Sequence, residues 1–249
     1  MDSEMNSTNS DTGKVSATFT NTANISREER HYCACLFAWL LGSPENCRAF
    51  LKKIYCGGAE PEWLSGTNRF VITYECTLIR DWLYFLLKNE GRKSHDDSKK
   101  LCKDYAEFDV SKKKPDLAIF EQESKTLILF EAKFDEGFDH NQIIKTQNYD
   151  DLVSDIEIED DKVTTVIVVL IGLAYYLNSY LTKYPPADQG DSRLQTIAWE
   201  SILQLIPEKH PTKEALKAGL ERQYQDHPRV RAWTKQNDFA NIDDKGKIL

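Results

Sequence analysis

The pattern of apolar and polar positions along this chain predicts strands and helices in a mixed order. Continuous apolar, β-branched runs occupy 116–120 (Asp-Leu-Ala-Ile-Phe) and 126–134 (Thr-Leu-Ile-Leu-Phe-Glu-Ala-Lys-Phe), and both read as buried strands. The segment between them, Glu121-Gln-Glu-Ser-Lys125, is polar and short, so a hairpin is the natural connection. A turn symmetric about Glu123 and Ser124 pairs Phe120 with Leu127 and Asp116 with Glu131. The most hydrophobic stretch, 163–177, is shorter than a membrane span and rich in β-branched residues, which predicts another buried strand. Its 163–171 portion is a central strand returning from the hairpin through a helix as a βαβ crossover. Residues 101–110 are expected as the first strand of the sheet and 193–197 as the last.

Helical spacing marks other regions. Ser26-Arg-Glu-Glu29 is a capping box ahead of a helix over 31–41, and Ser43-Pro44 opens a second that Gly57-Gly58 terminates. A helix over about 68–88 carries an apolar stripe of Ile79, Trp82 and Leu86 flanked by Leu78 and Phe85, with Glu75 on the stripe. Another spans 139–153, on which Gln142, Thr146 and Tyr149 share a face, with Lys145 and Gln147 as competitors for the same role. Residues 199–205 and 212–224 are expected as helices. The first 25 residues are rich in Ser, Thr, Asn and Asp, and read as disordered. The acidic run 150–161 and the segment 184–190 read as loops, and Arg229, Arg231 and Lys235 lie in a mildly basic C-terminal tail.

Chemistry concentrates in the hairpin. Side chains alternate along a strand, so Glu131 and Lys133 share a face while Ala132 points away, and the expected register puts Asp116 with the first two. Carboxylates opposed inside an apolar sheet repel, and burying them unpaired costs several kcal/mol, roughly, so the site demands a cation or a shared proton. Mg²⁺ suits an all-oxygen site with two carboxylates and retained waters, and Mn²⁺ can substitute for it. The lysine ammonium then holds a water or stabilises the negative charge that develops on a phosphate. A solvated edge strand ending in Glu-x-Lys is the alternative, but edge strands are seldom apolar on both faces.

Pro115-Asp116 followed by Glu131-Ala132-Lys133 resembles the signature of the PD-(D/E)XK nuclease superfamily, whose members hydrolyse phosphodiester bonds with Mg²⁺. The resemblance implies an α/β fold with a restriction-endonuclease-like αβββαβ core, a mixed central sheet flanked by helices. It implies Asp116 and Glu131 as metal ligands, the Ala132 carbonyl as a further one, and Lys133 as the catalytic lysine. The helix before the sheet often supplies an extra acid in that family, and Glu75 sits where that acid would be. Many relatives carry a glutamine on the helix after the lysine, which points to Gln142. Glu107, on the expected first strand, could project toward the same face as Asp116. The expected organisation is a tail over 1–25, an N-terminal helical extension over 26–66, a nuclease-like core over 67–205, and a C-terminal helix and tail over 206–249.

Composition adjusts this picture in detail. The chain has 249 residues, enough for one sizeable domain with extensions. Its net charge of −8 is unhelpful for nucleic-acid binding, but affinity depends on where positive charge sits. Lys99, Lys100, Lys103 and Lys112-Lys113-Lys114 precede Pro115 and could contact phosphates, or could be a solvated turn. The cysteines form no CxxC pair with matching histidines, which argues against structural zinc, and with no signal peptide they point to a reducing cytoplasm. The reading is a metal-dependent nuclease without a membrane span, DNA its favoured substrate and restriction, repair or defence its expected setting. A homodimer, or a protein partner that delivers substrate, is compatible with the acidic charge. The alternatives are an inactive nuclease-like module that binds nucleic acid or protein, and an RNA-cleaving nuclease.

Overall fold

A computed structural model of the chain describes residues 28–55, 60–65, 69–74, 115–134, 137–147, 163–185 and 193–249. The order of elements is α1 (Glu28–Leu41), α2 (Pro44–Ile54), β1 (Phe70–Tyr74), β2 (Leu117–Glu121), β3 (Thr126–Ala132), α3 (His140–Gln147), β4 (Thr165–Gly172), α4 (Ala174–Lys183), β5 (Leu194–Ala198), α5 (Trp199–Leu205), α6 (Pro211–Asp226) and α7 (Pro228–Gln236). Among the described residues the strands form one five-stranded sheet in sequence order β1 to β5. β1, β2 and β3 are successively antiparallel, whereas β4 and β5 join parallel, so the sheet is mixed. The β3–α3–β4 unit is thus the crossover expected for strands that run the same way.

Period-two alternation sorts the sheet's side chains onto two buried faces. Leu117 and Ile119 of β2, Ile128, Phe130 and Ala132 of β3, and Ile167, Val169 and Ile171 of β4 join one core with α1, α2, α5 and α6. Val168 and Leu170 of β4 face the other way, toward Ile143 of α3 and Ala174, Leu177 and Tyr180 of α4. Covering both faces buries every residue of β2 and β3, which explains why these strands read as unbroken apolar runs. The first core is aromatic at its centre: Tyr32 of α1 stacks on Phe134 at 4.0 Å between ring centroids, and Trp199 closes on Phe134 at 5.7 Å.

Several expected elements take their expected form. Ser43 caps α2 by accepting from the Asn46 N–H at 3.2 Å, with Pro44 in the first turn. The hairpin runs in the expected register, Phe120 opposite Leu127. The helix expected over 199–205 spans those residues, and that expected over 212–224 extends to Pro211–Asp226. The helix expected over 139–153 is seen as His140–Gln147.

Others need correction. The helix expected over 68–88 does not begin as one: Phe70–Tyr74 is β1, paired antiparallel with β2 from Phe70↔Glu121 to Tyr74↔Leu117. Phe-Val-Ile-Thr-Tyr is aromatic and β-branched, and fits a pleated surface better than a helix. The strand expected over 163–177 stops at Gly172, and Ala174 begins α4, whose buried Ala174, Leu177 and Tyr180 recur at helical spacing. The C-terminal tail is in part a helix, α7, led by Pro228, followed by a hook in which Ile242 and Ile248 form an antiparallel bridge. The expected tail over 1–25, the capping Ser26, Gly57-Gly58, the strand over 101–110, Glu107, the Lys99–Lys114 cluster and the acidic run 150–161 lie outside the described residues. No helix of the described residues is long and apolar enough to cross a membrane.

Candidate active site

The β2–β3 turn sets the geometry of the open end of the hairpin. Glu121, fully buried, turns its carboxylate back onto the loop and accepts from the Ser124 N–H at 2.6 Å and the Glu123 N–H at 3.3 Å. Lys125 takes a left-handed φ of 56°, which lets a four-residue connection return the chain into β3. The ladder then runs without slippage to Leu117↔Phe130. There the pairing differs from the expected one. The Asp116 N–H donates to the Phe130 carbonyl at 3.1 Å, and its carboxylate accepts from the Ala132 N–H at 2.8 Å. Asp116 is therefore no ladder partner of Glu131, and its carboxylate ends on the peptide group joining Glu131 to Ala132. Pro115, which has no N–H to contribute, immediately precedes this departure.

Glu131 and Lys133 project from the end of β3 on the face opposite Ala132, whose side chain is sealed in the first core. Their side chains are only 9% and 14% exposed, so these charges have little water. Lys133 Nζ lies 3.9 Å from Glu131 Oε1, and Gln142 Nε2 of α3 donates to that same oxygen. The backbone at Lys133 is held on both sides, its N–H donating to the Ile171 carbonyl at 2.7 Å and its carbonyl accepting from the Trp199 indole N–H at 3.0 Å. These bonds fix where the Lys133 side chain leaves the main chain.

The site thus joins Glu131, Lys133 and Gln142, with the Asp116 carboxylate on the adjoining peptide. Glu75, the expected accessory acid, lies outside the described residues, as does Tyr149, and nothing is described of the Lys145, Thr146 and Gln147 side chains. Among the described residues no group of three or more His, Cys, Asp and Glu is arranged to hold a metal. The Asp116 and Glu131 carboxylates with the Ala132 carbonyl would be a hard oxygen donor set, of the kind through which Mg²⁺ is commonly bound with waters completing its shell.

Sequence reasoning missed an aromatic group beside this site. Phe138, His140, Tyr180 and Tyr184 gather where α3 meets the C-terminal half of α4, with the His140 ring stacked on Tyr184 at 3.8 Å and 5° between planes. His140 Nδ1 and the Tyr180 hydroxyl are 3.0 Å apart. Burial, and secondarily the neighbouring Tyr184, raises the Tyr180 phenol above its ordinary range, so it stays protonated. The available signal was the spacing of Tyr176, Tyr180 and Tyr184, four residues apart, running from the end of a stretch that read as strand to the start of one that read as loop. Comparison with known proteins finds no match among family models, curated proteins or solved structures.

Proposed function

We propose that this chain is a metal-dependent phosphodiesterase that cleaves nucleic acid, DNA in the first instance, in the cytoplasm. The observation that carries the reading is the convergence of Lys133 and Gln142 on one oxygen of the largely buried Glu131, with the Asp116 carboxylate at the next peptide. The order of elements, helices followed by three antiparallel strands, a helix and a parallel strand, is compatible with the αβββαβ core of the PD-(D/E)XK nucleases and supports the same reading. Asp116, Glu131 and the Ala132 carbonyl would hold Mg²⁺, which when bound supplies Lewis acidity to a phosphoryl oxygen. Lys133 orients the attacking water and offsets the negative charge that grows on the phosphate. Gln142 fixes the Glu131 carboxylate and positions substrate. Glu75 is an accessory acid in this reading.

The test is cleavage of duplex DNA, single-stranded DNA and structured RNA, with Mg²⁺ or Mn²⁺, by wild type and Lys133→Ala. Cutting that needs metal and is lost in a correctly folded Lys133→Ala is the expected result. Normal turnover by that variant sinks the assignment, and preference for RNA replaces DNA as substrate. A second reading, a non-catalytic module that binds nucleic acid or a protein partner, draws on the lack of a three-residue acidic or histidine cluster among the described residues. It predicts no Mn²⁺ binding by calorimetry and no difference when Asp116 becomes Ala.

A further inference from the structure

A cavity of about 400 Å³ opens between the start of α3 and the outer face of α4. Its lining includes the aromatic residues Phe138, His140, Tyr176, Tyr180 and Tyr184, and also Lys183. That volume falls in the range of roughly 300–1,000 Å³ typical of small-ligand sites. The coplanar His140–Tyr184 pair is already a stack that takes up one face of the Tyr184 ring, and the Lys183 ammonium lies over that ring 5.0 Å from its centroid, so a flat ligand takes the ammonium's place on the ring and leaves the positive charge beside it. Asp139, the acidic residue in the wall, is turned to the chain, its carboxylate accepting from the Asn141 N–H at 2.9 Å. The chemistry recognised is therefore a planar, π-faced group attached to an anion.

The cavity is tied to the candidate active site through the chain. His140 in its wall and Gln142 on the Glu131 carboxylate belong to the same turn of α3. Phe138 lies against Gly172 so closely that a Cβ there would meet its ring at 2.9 Å, and the neighbouring Ile171 carbonyl receives the Lys133 N–H. The aromatic walls and the carboxylate site therefore share the C-terminal end of β3 and β4. We propose that the cavity is a stacking subsite for one unpaired nucleobase of a single-stranded nucleic acid, with Lys183 meeting its flanking phosphate. The choice of ligand rests on the phosphodiesterase reading. Bases inside a duplex have both faces covered by their neighbours, so this subsite favours single strands, frayed ends or extruded bases over intact duplex. Such stacking tolerates any base, because each has a π-face.

The test is fluorescence anisotropy of the full chain, in EDTA so that nothing is cut, with labelled oligo(dT), oligo(U) and a closed duplex hairpin. The expected result is tighter binding of the single strands, weakened about tenfold by Tyr184→Leu and retained by Tyr184→Phe, which keeps the ring without the hydroxyl. If Tyr184→Leu does not fold, Lys183→Gln decides at an exposed position: the slope of log affinity against log salt should fall by about 0.7, the share of one phosphate contact on a single strand. Comparing oligo(dT) with oligo(U) tells which sugar is accepted; tight binding of either supports the subsite. Equal single-strand binding by wild type and a folded Tyr184→Leu, an unchanged salt slope in Lys183→Gln, or tighter binding of the duplex each overturns it. The two readings fail separately. Cutting that depends on Lys133 in a protein indifferent to Tyr184 removes the subsite and leaves the nuclease, whereas Tyr184-dependent binding in a protein that never cuts does the reverse.

Discussion

The two ends of the β2–β3 hairpin each bury a glutamate, and the two are satisfied in different ways. At the closed end Glu121 accepts from backbone N–H groups of its own turn, so its charge is spent on local geometry. At the open end Glu131 meets side chains, Lys133 from its own strand and Gln142 from α3. Glu200 is a third case: it accepts from the Tyr224 hydroxyl at 2.9 Å and the Ala174 N–H at 3.1 Å, joining three helices. Burial of a carboxylate therefore does not identify a site. What sets Glu131 apart is a lysine ammonium 3.9 Å away on its own strand beside the Gln142 amide, the pairing on which the proposed function draws.

That contrast can be broken by substitution. The largest effect is expected for Glu131→Gln, which should lower kcat by about 10²–10³-fold or more with little change in the thermal midpoint. A thermal midpoint that collapses while activity per folded molecule survives would place Glu131 with Glu121. Next, Glu121→Ala should cost about 1–3 kcal/mol in urea unfolding, by stranding two turn N–H groups, with turnover of the folded fraction unchanged. Gln142→Ala should reduce kcat about tenfold, and Gln142→Glu should reduce it further by setting a second carboxylate against Glu131. Equal rates for the two variants would argue that Gln142 has no hold on Glu131.

The smallest effect concerns pH. Burial raises the Glu200 carboxyl above its ordinary value of 4.5, against the opposing pull of its own N–H, the Tyr224 hydroxyl and the Ala174 N–H. The folded state therefore holds this proton more tightly than the unfolded chain does. The associated stability is full below about pH 4.5 and is lost as pH rises through the raised folded value. Glu200→Gln, which cannot ionise, should flatten that part of the pH–stability curve. Identical slopes in denaturation series from acid to neutral pH would show that Glu200 titrates alike in both states.

The hairpin was legible because its register depends on a turn and a period-two pattern, both local. The side-chain meeting of Gln142 and Glu131 was expected only through the resemblance to the nuclease family, since an ordinary amphipathic helix has the same spacing. The end of β4 was not. Apolar residues continue from the strand into α4 without a polar break, and Leu173 at the N-cap offers no side-chain hydrogen bond. The Ala174 N–H is met instead by Glu200, 26 residues further on, a tertiary cap that no local pattern announces. Likewise the apolar stripe of 78–86 extended a helical reading over Phe70–Tyr74, whose pairing with β2 comes from residues far along the chain. The Asp116 departure escaped because it lies one residue past the ladder, where alternation no longer governs direction.

Trp199 gives the site a dependence that its polar residues conceal. Its indole N–H holds the Lys133 carbonyl across 66 residues of sequence, and its ring is fully buried against Phe134. The aim of the lysine is thus partly written at the start of another helix, in a residue buried in the core. Variation among descendants of this chain would therefore be constrained at position 199 as if it were an active-site position. A Trp199→Phe exchange, which keeps an aromatic ring but removes the indole N–H, would act as a lesion in the lysine's bearing.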